Sequence, residues 1–143
     1  MALAQLNIGR LVAPNDDPRV AEFMEALDPI NALADASPGF IWRLQDDTGN
    51  ATSIQAFDDD SIIVNMSVWA SVADLRAFVY SSEHKRYLAR RKEWFQPFDG
   101  LLLVLWNVPD GHIPSVDEAK ERLEHLERHG PTPHAFTFRQ SFP

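Results

Sequence analysis

The residue pattern that most resembles a chemical site is a run of polar side chains on one apolar strand. Ile62–Trp69 alternates in the way of a β-strand, so Asn65, Ser67 and Trp69 fall on one face and point into the same space. An asparagine amide and an indole N–H can both donate to a carbonyl or phenolate oxygen of a ligand. The alternative is a packed core, in which Trp69 is buried and Asn65 bonds a neighbouring helix end.

His84 is the titratable side chain best suited to act on such a ligand. An imidazole is a general base at neutral pH, able to take a phenolic or α-carbonyl proton. Tyr87, Leu88 and Arg91 follow at helical spacing on the same side, and Arg91 could anchor an acidic group of a substrate. The alternative is a solvated histidine in a first helical turn.

Aromatic residues on predicted strands could line a pocket for a planar hydrophobic ligand. Trp42 and Trp106 are candidates for substrate binding, together with Phe40, Trp94 and Phe95. The alternative is that these side chains belong to the core.

No metal site is expected. His125 and His129 lie four residues apart on a helix, with His134 beyond, but no third ligand is fixed by spacing. The run Asp58–Asp60 is expected to be a solvated turn, and the sequence contains no phosphate-binding loop, nucleophile elbow or dinucleotide fingerprint.

Composition narrows the class of protein. The chain has 143 residues, 45% of them hydrophobic, and a formal charge of -8, which disfavours nucleic acid despite the basic cluster in Lys85–Lys92. Cysteine is absent, which excludes thiol catalysis and cysteine-ligated clusters and fits a reducing compartment. No signal peptide or membrane span is apparent, so we expect a cytoplasmic protein.

Hydrophobic periodicity and turn signals predict an order of elements. A strand is predicted over Ala2–Leu11. A helix is predicted to begin at Pro18, to be interrupted and kinked at Pro29, and to end before Ser37. Further strands are predicted over Phe40–Gln45, Ala51–Phe57, Ile62–Trp69, Gly100–Val108 and Ala135–Gln140. A second helix follows Ser71 and restarts after Ser82, and a third runs from Ser115 to Gly130.

This order predicts one α+β domain over residues 1–143, a ferredoxin-like antiparallel sheet with helices on one face. The opposite face carries apolar residues too numerous for contact with water, namely Ala4, Leu6, Ile8, Val64, Met66 and Val68. A second sheet should cover them, so we expect a homodimer that forms an α+β barrel.

Several runs of sequence resemble an uncharacterised bacterial family, DUF3291, of the dimeric α+β barrel superfamily. They are Leu3–Asn7, Asp28–Ala34, Ser37–Leu44, Asn65–Trp69, Arg90–Phe95, Gly111–Pro114 and Gly130–Phe138. The resemblance implies the fold and the dimer, and it implies no reaction.

A looser resemblance is to the antibiotic-biosynthesis monooxygenases of the same superfamily, carried by Trp69, Ser71 and Leu75. It implies oxygenation of polycyclic phenols without metal or flavin, with Asn65 helping to hold the substrate and the ligand pocket between sheet and helices. Haem-degrading relatives use an asparagine, a tryptophan and a histidine, which implies Asn7, Trp69 and His84 as the matching candidates.

The leading hypothesis is therefore a cofactor-independent oxygenase or proton-transfer enzyme acting on an aromatic or polyketide-like molecule. In it, Asn65 and Trp69 orient the substrate and His84 deprotonates it, while Asn7, Trp42, Tyr87, Arg91 and Trp106 contribute to binding. The alternatives are a non-catalytic dimeric module that binds a hydrophobic ligand, and a protein that binds or degrades haem.

Overall fold

A four-stranded antiparallel sheet forms the centre of the molecule. The computed structural model describes residues 1–45, 57, 59, 61–97 and 102–142. The strands are β1 (Ala2–Arg10), β2 (Phe40–Arg43), β3 (Ile62–Trp69) and β4 (Leu103–Val108). They lie in the order β2-β3-β1-β4, so the longest strand, β1, pairs with both β3 and β4.

The register of β1 and β3 decides which side chains meet. Gln5 lies opposite Ser67 and Asn7 lies opposite Asn65, while Leu6 lies opposite Met66. Because successive side chains in a strand point to opposite faces, the polar residues of both strands gather on one face and the aliphatic residues on the other.

In the described part of the chain, four helices pack around this sheet: α1 (Ala21–Asp35), α2 (Val72–Val79), α3 (Ser82–Ala89) and α4 (Val116–His129). The predicted caps are confirmed: Ser71 accepts from the Asp74 amide and Ser115 from the Glu118 amide. The Asp17 carboxylate likewise caps a single 3-10 turn before α1. Pro29 lies inside α1, which runs on through it, so the predicted interruption at that residue is wrong.

The sheet has two different faces. The cavity face carries Leu3, Gln5, Asn7, Asn65, Ser67 and Trp69, and α1 and α2 pack against it through Ala34 and Leu75. The sealed face carries Ala4, Leu6, Ile8, Val64, Met66 and Val68, and α4 packs against it through Ala119, Leu123 and Leu126. The α+β ferredoxin-like class is confirmed, but α4 lies opposite the other helices, because its apolar stripe finds the aliphatic face.

This placement removes the argument that led to the dimer. The six residues that define the sealed face are at most 5% exposed within a single chain. The face that was expected to need a second sheet is therefore already covered. The homodimer stays a prediction that rests on the resemblance alone.

Other differences are local. β4 is buried on both faces, as its uniformly apolar sequence predicts, with Val104, Leu105 and Trp106 fully inaccessible. The predicted strand Ala135–Gln140 is reduced to two isolated bridges, from Ala135 to Thr132 and from Phe136 to Leu105. Some predicted segments lie outside the described residues. They are the predicted strand over 51–57 apart from Phe57, the loop before it over 46–50, two residues of the turn over 58–60, and Gly100 and Leu101.

None of the helices in the described part of the chain is both long and apolar enough to cross a membrane.

Candidate active site

A cavity of about 400 Å³ lies between the cavity face and the helices α1, α2 and α3. This volume is within the usual range for sites that bind small molecules. Asn65 and Trp69 reach the cavity from β3, and His84 reaches it from α3. The three residues proposed from the sequence as catalytic thus line one cavity, on the helix-covered face of the sheet.

A ladder of polar side chains forms the floor of this cavity. Gln5 Nε2 donates to Asn65 Oδ1 at 2.7 Å and to Ser67 Oγ at 2.8 Å. Asn7 Nδ2 donates to Gln5 Oε1 at 3.0 Å and to Asn65 Oδ1 at 3.2 Å. The strand register makes this possible, because it sets Gln5 opposite Ser67 and Asn7 opposite Asn65.

The hydrogen bonds of the ladder leave particular atoms for a ligand. Gln5 is 3% exposed, and both hydrogens of its Nε2 are used within the floor. In the described part of the chain, Asn65 Nδ2 and Asn7 Oδ1 bond to no other residue, and both side chains are exposed. The floor therefore offers two N–H donors and one carbonyl acceptor, side by side, to a molecule in the cavity.

Sequence reasoning missed Gln5, which orients both asparagines. The available signal was a long polar residue between Leu3 and Asn7 on an otherwise apolar strand. Its partners lie about sixty residues away, at positions 65 and 67, so only the register could identify them.

Trp69 has a different role from the one expected. Its indole N–H donates to Ser67 Oγ at 2.9 Å, so the predicted hydrogen bond from this group to a ligand is not available. The ring stacks on Phe78 with centroids 5.3 Å apart and meets the Phe40 ring edge-on at 5.4 Å. Trp69 is 1% exposed and forms a rigid aromatic wall.

His84 lies beside that wall, with its ring centroid 5.0 Å from that of Phe78. Its Nδ1 is 2.9 Å from the carbonyl oxygen of Val79, the last residue of α2. A carbonyl can only accept, so the proton is on Nδ1 and the Nε2 lone pair is left to act as a base. Carbonyls of a last helical turn lack partners within their helix, which explains why His84 is held here.

Burial lowers the pKa of His84 below the ordinary histidine value of 6.5, and the hydrogen bond to Val79 opposes this shift only in part. The imidazole is therefore neutral at pH 7. A neutral imidazole with a free Nε2 in a partly apolar cavity can remove a proton from a bound acid.

The proposed binding residues divide into two groups. Asn7, Tyr87 and Arg91 line the cavity. Trp42 and Trp106 do not: both belong to the core of the sealed face, where Trp106 Nε1 donates to Glu118. Their predicted role in this site is wrong.

A β-bulge explains the position of Trp42. Phe40 lies opposite Trp69, whereas Trp42 lies opposite Val68, so the register shifts between them. Strict alternation would put Phe40 and Trp42 on one face, but the extra residue, Ile41, turns Trp42 to the other. Arg43 takes the place on the cavity face, and its guanidinium binds the Asp35 carboxylate at 2.8 Å.

An aromatic cluster lines the opposite end of the cavity from Trp69. The Phe23 ring packs edge-on against Phe95 at 5.0 Å and lies 5.7 Å from Trp94. Phe95 rests directly on Gly9, where a Cβ atom would come within 2.6 Å of its ring. The glycine permits this close approach of an aromatic ring to the strand.

The three histidines near the end of α4 also come together. The His125 ring centroid is 4.6 Å from that of His129 and 4.5 Å from that of His134. His125 Nε2 contacts Thr132 Oγ1, and His134 Nε2 contacts the Glu121 carboxylate. Within the described ranges, no group of three such side chains is placed to hold a metal ion.

One known protein family matches nearly the whole chain. The family model described as Domain of unknown function (DUF3291) matches residues 2–143. Among curated proteins no relative matches.

Solved structures share the fold at low sequence identity. A candidate antibiotic biosynthesis monooxygenase from Nitrosomonas europaea aligns with TM-score 0.54 and 13% identity, over 77% of this chain and 92% of that one. A conserved protein from Methanosarcina mazei aligns with TM-score 0.55 and 14% identity, over 76% of this chain and 94% of that one. SnoaB, a cofactor-independent oxygenase from Streptomyces nogalater, aligns with TM-score 0.50 and 16% identity, over 80% of this chain and 98% of that one.

Proposed function

The chain belongs to the DUF3291 family, and we propose that it is a small-molecule enzyme that deprotonates an aromatic or polyketide-like substrate, in the manner of a cofactor-independent monooxygenase. The likeness of its fold to a cofactor-independent oxygenase supports the proposal. At 16% identity that likeness concerns the fold, so the chemistry is argued from the cavity itself.

One observation carries the proposal: a base and an oxyanion-binding group line the same cavity. His84 is neutral with Nε2 free, and the Asn65 amide has donors to spare. Removing a phenolic or α-carbonyl proton leaves negative charge on an oxygen, which amide N–H groups stabilise. Phe78 stacks on the buried Trp69 and lines the cavity, so it supplies an aromatic side chain that the ring of the substrate can contact.

The oxygenase reaction balances with the substrate as reductant and molecular oxygen as oxidant. His84 takes a proton from an activated methylene carbon, and the resulting carbanion, delocalised as an enolate or phenolate, reacts with O₂. The methylene becomes a carbonyl, a four-electron oxidation. One oxygen atom stays on the carbon and the other leaves as water, so no further electron donor is needed. Asn65 would bind the oxyanion throughout.

The test uses anthrone, a three-ring compound with such a methylene, and follows oxygen uptake with an electrode and anthraquinone by chromatography. We expect His84→Ala to lower the enzymatic rate by about 10²–10⁴-fold, the usual value of a general base. Asn65→Ala should also lower the rate, since it removes the oxyanion donors. The matched control is His129→Ala, which changes an exposed histidine that does not line the cavity.

The outcomes separate the proposal from its alternatives. Oxidation no faster than in buffer, combined with saturable binding of anthrone, would support a non-catalytic binding module and contradict the enzyme. A Soret band on titration with haem that His84→Ala abolishes would support the haem-binding alternative. Equal rates for the wild type and His84→Ala would leave the reaction without its proposed base.

A further inference from the structure

The charges around the cavity suggest what kind of substrate it selects. Among the described residues that line it, none is Asp or Glu, and the charged ones are Arg43 and Arg91. This is unusual for a chain with a formal charge of -8. Acidic groups are thus kept away from the one surface where a ligand would lie.

The nearby carboxylates are already bound by other arginines. Asp35 accepts from Arg43 at 2.8 Å, so that pair is neutral. Glu93 accepts from Arg90 at 2.7 Å, and Glu22 also binds Arg90. In the part of the chain that the structure describes, no carboxylate pairs with Arg91, whose exposed side chain lines the cavity.

The position of Arg91 along the sheet defines where an anion would lie. The Phe95 amide donates to the Arg91 carbonyl at 2.9 Å, and the Phe95 ring rests on Gly9. Asn7, the outermost member of the polar floor, is two residues from Gly9 on the same face, a separation of roughly 7 Å. The backbone of Arg91 therefore lies at the aromatic end of the cavity.

From this arrangement we infer that the substrate is an aromatic molecule with an anionic group, such as a carboxylate, which Arg91 binds while the reacting end lies over Asn7 and Asn65. A guanidinium is suited to this role, since it binds carboxylates through paired hydrogen bonds. The inference rests on the proposed function in taking this cavity as the substrate site. It makes Arg91 the residue that determines specificity for the anion.

The experiment measures binding, so that it does not depend on turnover. The probes are anilinonaphthalene sulfonate and N-phenylnaphthylamine, which share one aromatic skeleton and differ by a single anionic group. Titration followed by fluorescence, with stoichiometry from calorimetry, gives the affinity of each for the wild type, Arg91→Gln and Lys92→Gln. Lys92 is the matched control, because it is an adjacent exposed cation that does not line the cavity, and both variants change the net charge equally.

We expect the wild type to prefer the anionic probe and Arg91→Gln to reduce that preference about two- to fivefold, the size of one solvent-accessible charge interaction. Binding of the neutral probe should not change. Lys92→Gln should keep the preference, and concentrated salt should reduce it in the wild type but not in Arg91→Gln.

Three results would overturn the inference: no saturable binding of the anionic probe, equal affinity of the wild type for both probes, or an equal loss in the two variants. Failure of the proposed function looks different. In that case Arg91 would still discriminate between the probes, while His84→Ala would leave anthrone oxidation unchanged.

Discussion

The two faces of the sheet are built from the same strands, but one is packed against a helix and the other borders a cavity. On the sealed face, aliphatic residues of β1 and β3 meet Ala119, Leu123 and Leu126 of α4, and these residues are all buried. On the cavity face, the same two strands present Gln5, Asn7, Asn65 and Ser67, and the helices leave a space of about 400 Å³ above them. Alternate residues of β1 and β3 thus form the sealed core, and among the residues between them Asn7 and Asn65 are exposed to the cavity.

This difference shows which face of the sheet can accommodate a ligand-binding site. A buried floor of amides is tolerable because its hydrogen bonds are made within the floor, and the atoms left over face the open cavity. The stability of the sheet then depends mainly on the sealed face. Substitutions on the two faces should separate stability from binding.

The largest effect is expected from Trp106→Ala on the sealed face. Trp106 is fully buried and its indole donates to Glu118 at 2.9 Å. Removing a large buried side chain leaves a cavity, and we expect a loss of about 3–5 kcal/mol in the free energy of unfolding. Urea denaturation followed by circular dichroism measures it. The control, Ile41→Ala, changes a residue that is 52% exposed and should stay within about 0.5 kcal/mol. Similar losses in both variants would contradict the distinction.

The next effect is expected from Gln5→Met, which keeps the length of the side chain but removes its amide. Three hydrogen bonds of the floor are lost, and Ser67 stays buried with the Trp69 indole as its remaining partner. We expect a loss of about 1–3 kcal/mol in stability, the cost of disrupting a buried polar group. Because both asparagines are oriented by Gln5, affinity for an aromatic ligand should fall as well. Unchanged affinity would mean that the floor does not position the ligand.

Strict alternation made the central part of this arrangement predictable. The bounds of β3 agree with the prediction at both ends, since Ile62–Trp69 alternates without interruption. The same period put Asn65 and Trp69 on one face, and both residues line the cavity. Capping by Ser71 and Ser115 could also be predicted from the sequence, because the amide that each serine accepts from lies only three residues away.

What could not be predicted depends on contacts that are distant in sequence. The sequence of an amphipathic helix such as α4 reveals an apolar stripe. It does not reveal which face of the sheet that stripe will cover. The bulge at Ile41 moved Trp42 to the wrong side for a ligand, and nothing in the local pattern marks it. The occupation of the Trp69 indole by Ser67 required knowledge of side-chain geometry within one strand.

The pH dependence of turnover sharpens the role of the cavity face. Burial lowers the pKa of His84 below 6.5, and the base acts only when it is neutral. The value of kcat/KM should therefore rise with pH, about tenfold per unit at low pH, and level off around a midpoint that lies below pH 6.5. His84→Ala should lose this dependence. A midpoint above pH 6.5 would indicate an imidazole stabilised in its charged form, which disagrees with its burial.

The smallest effect on stability is expected from Asn65→Ala, and it gives the most direct comparison of the two faces, because Val64 is adjacent on the same strand. Val64 is 5% exposed on the sealed face, and Val64→Ala should cost about 2 kcal/mol for two buried methyl groups and the space they leave. Asn65 is exposed to the cavity, where water can replace its hydrogen bonds, so Asn65→Ala should change stability by only about 0.5 kcal/mol. Ligand affinity should respond in the reverse order, falling strongly with Asn65→Ala and little with Val64→Ala, because Val64 borders the cavity but its side chain packs in the core of the sealed face. If Val64→Ala weakened binding as much as Asn65→Ala, the two faces would be energetically coupled through the strand, and neither could be changed without the other.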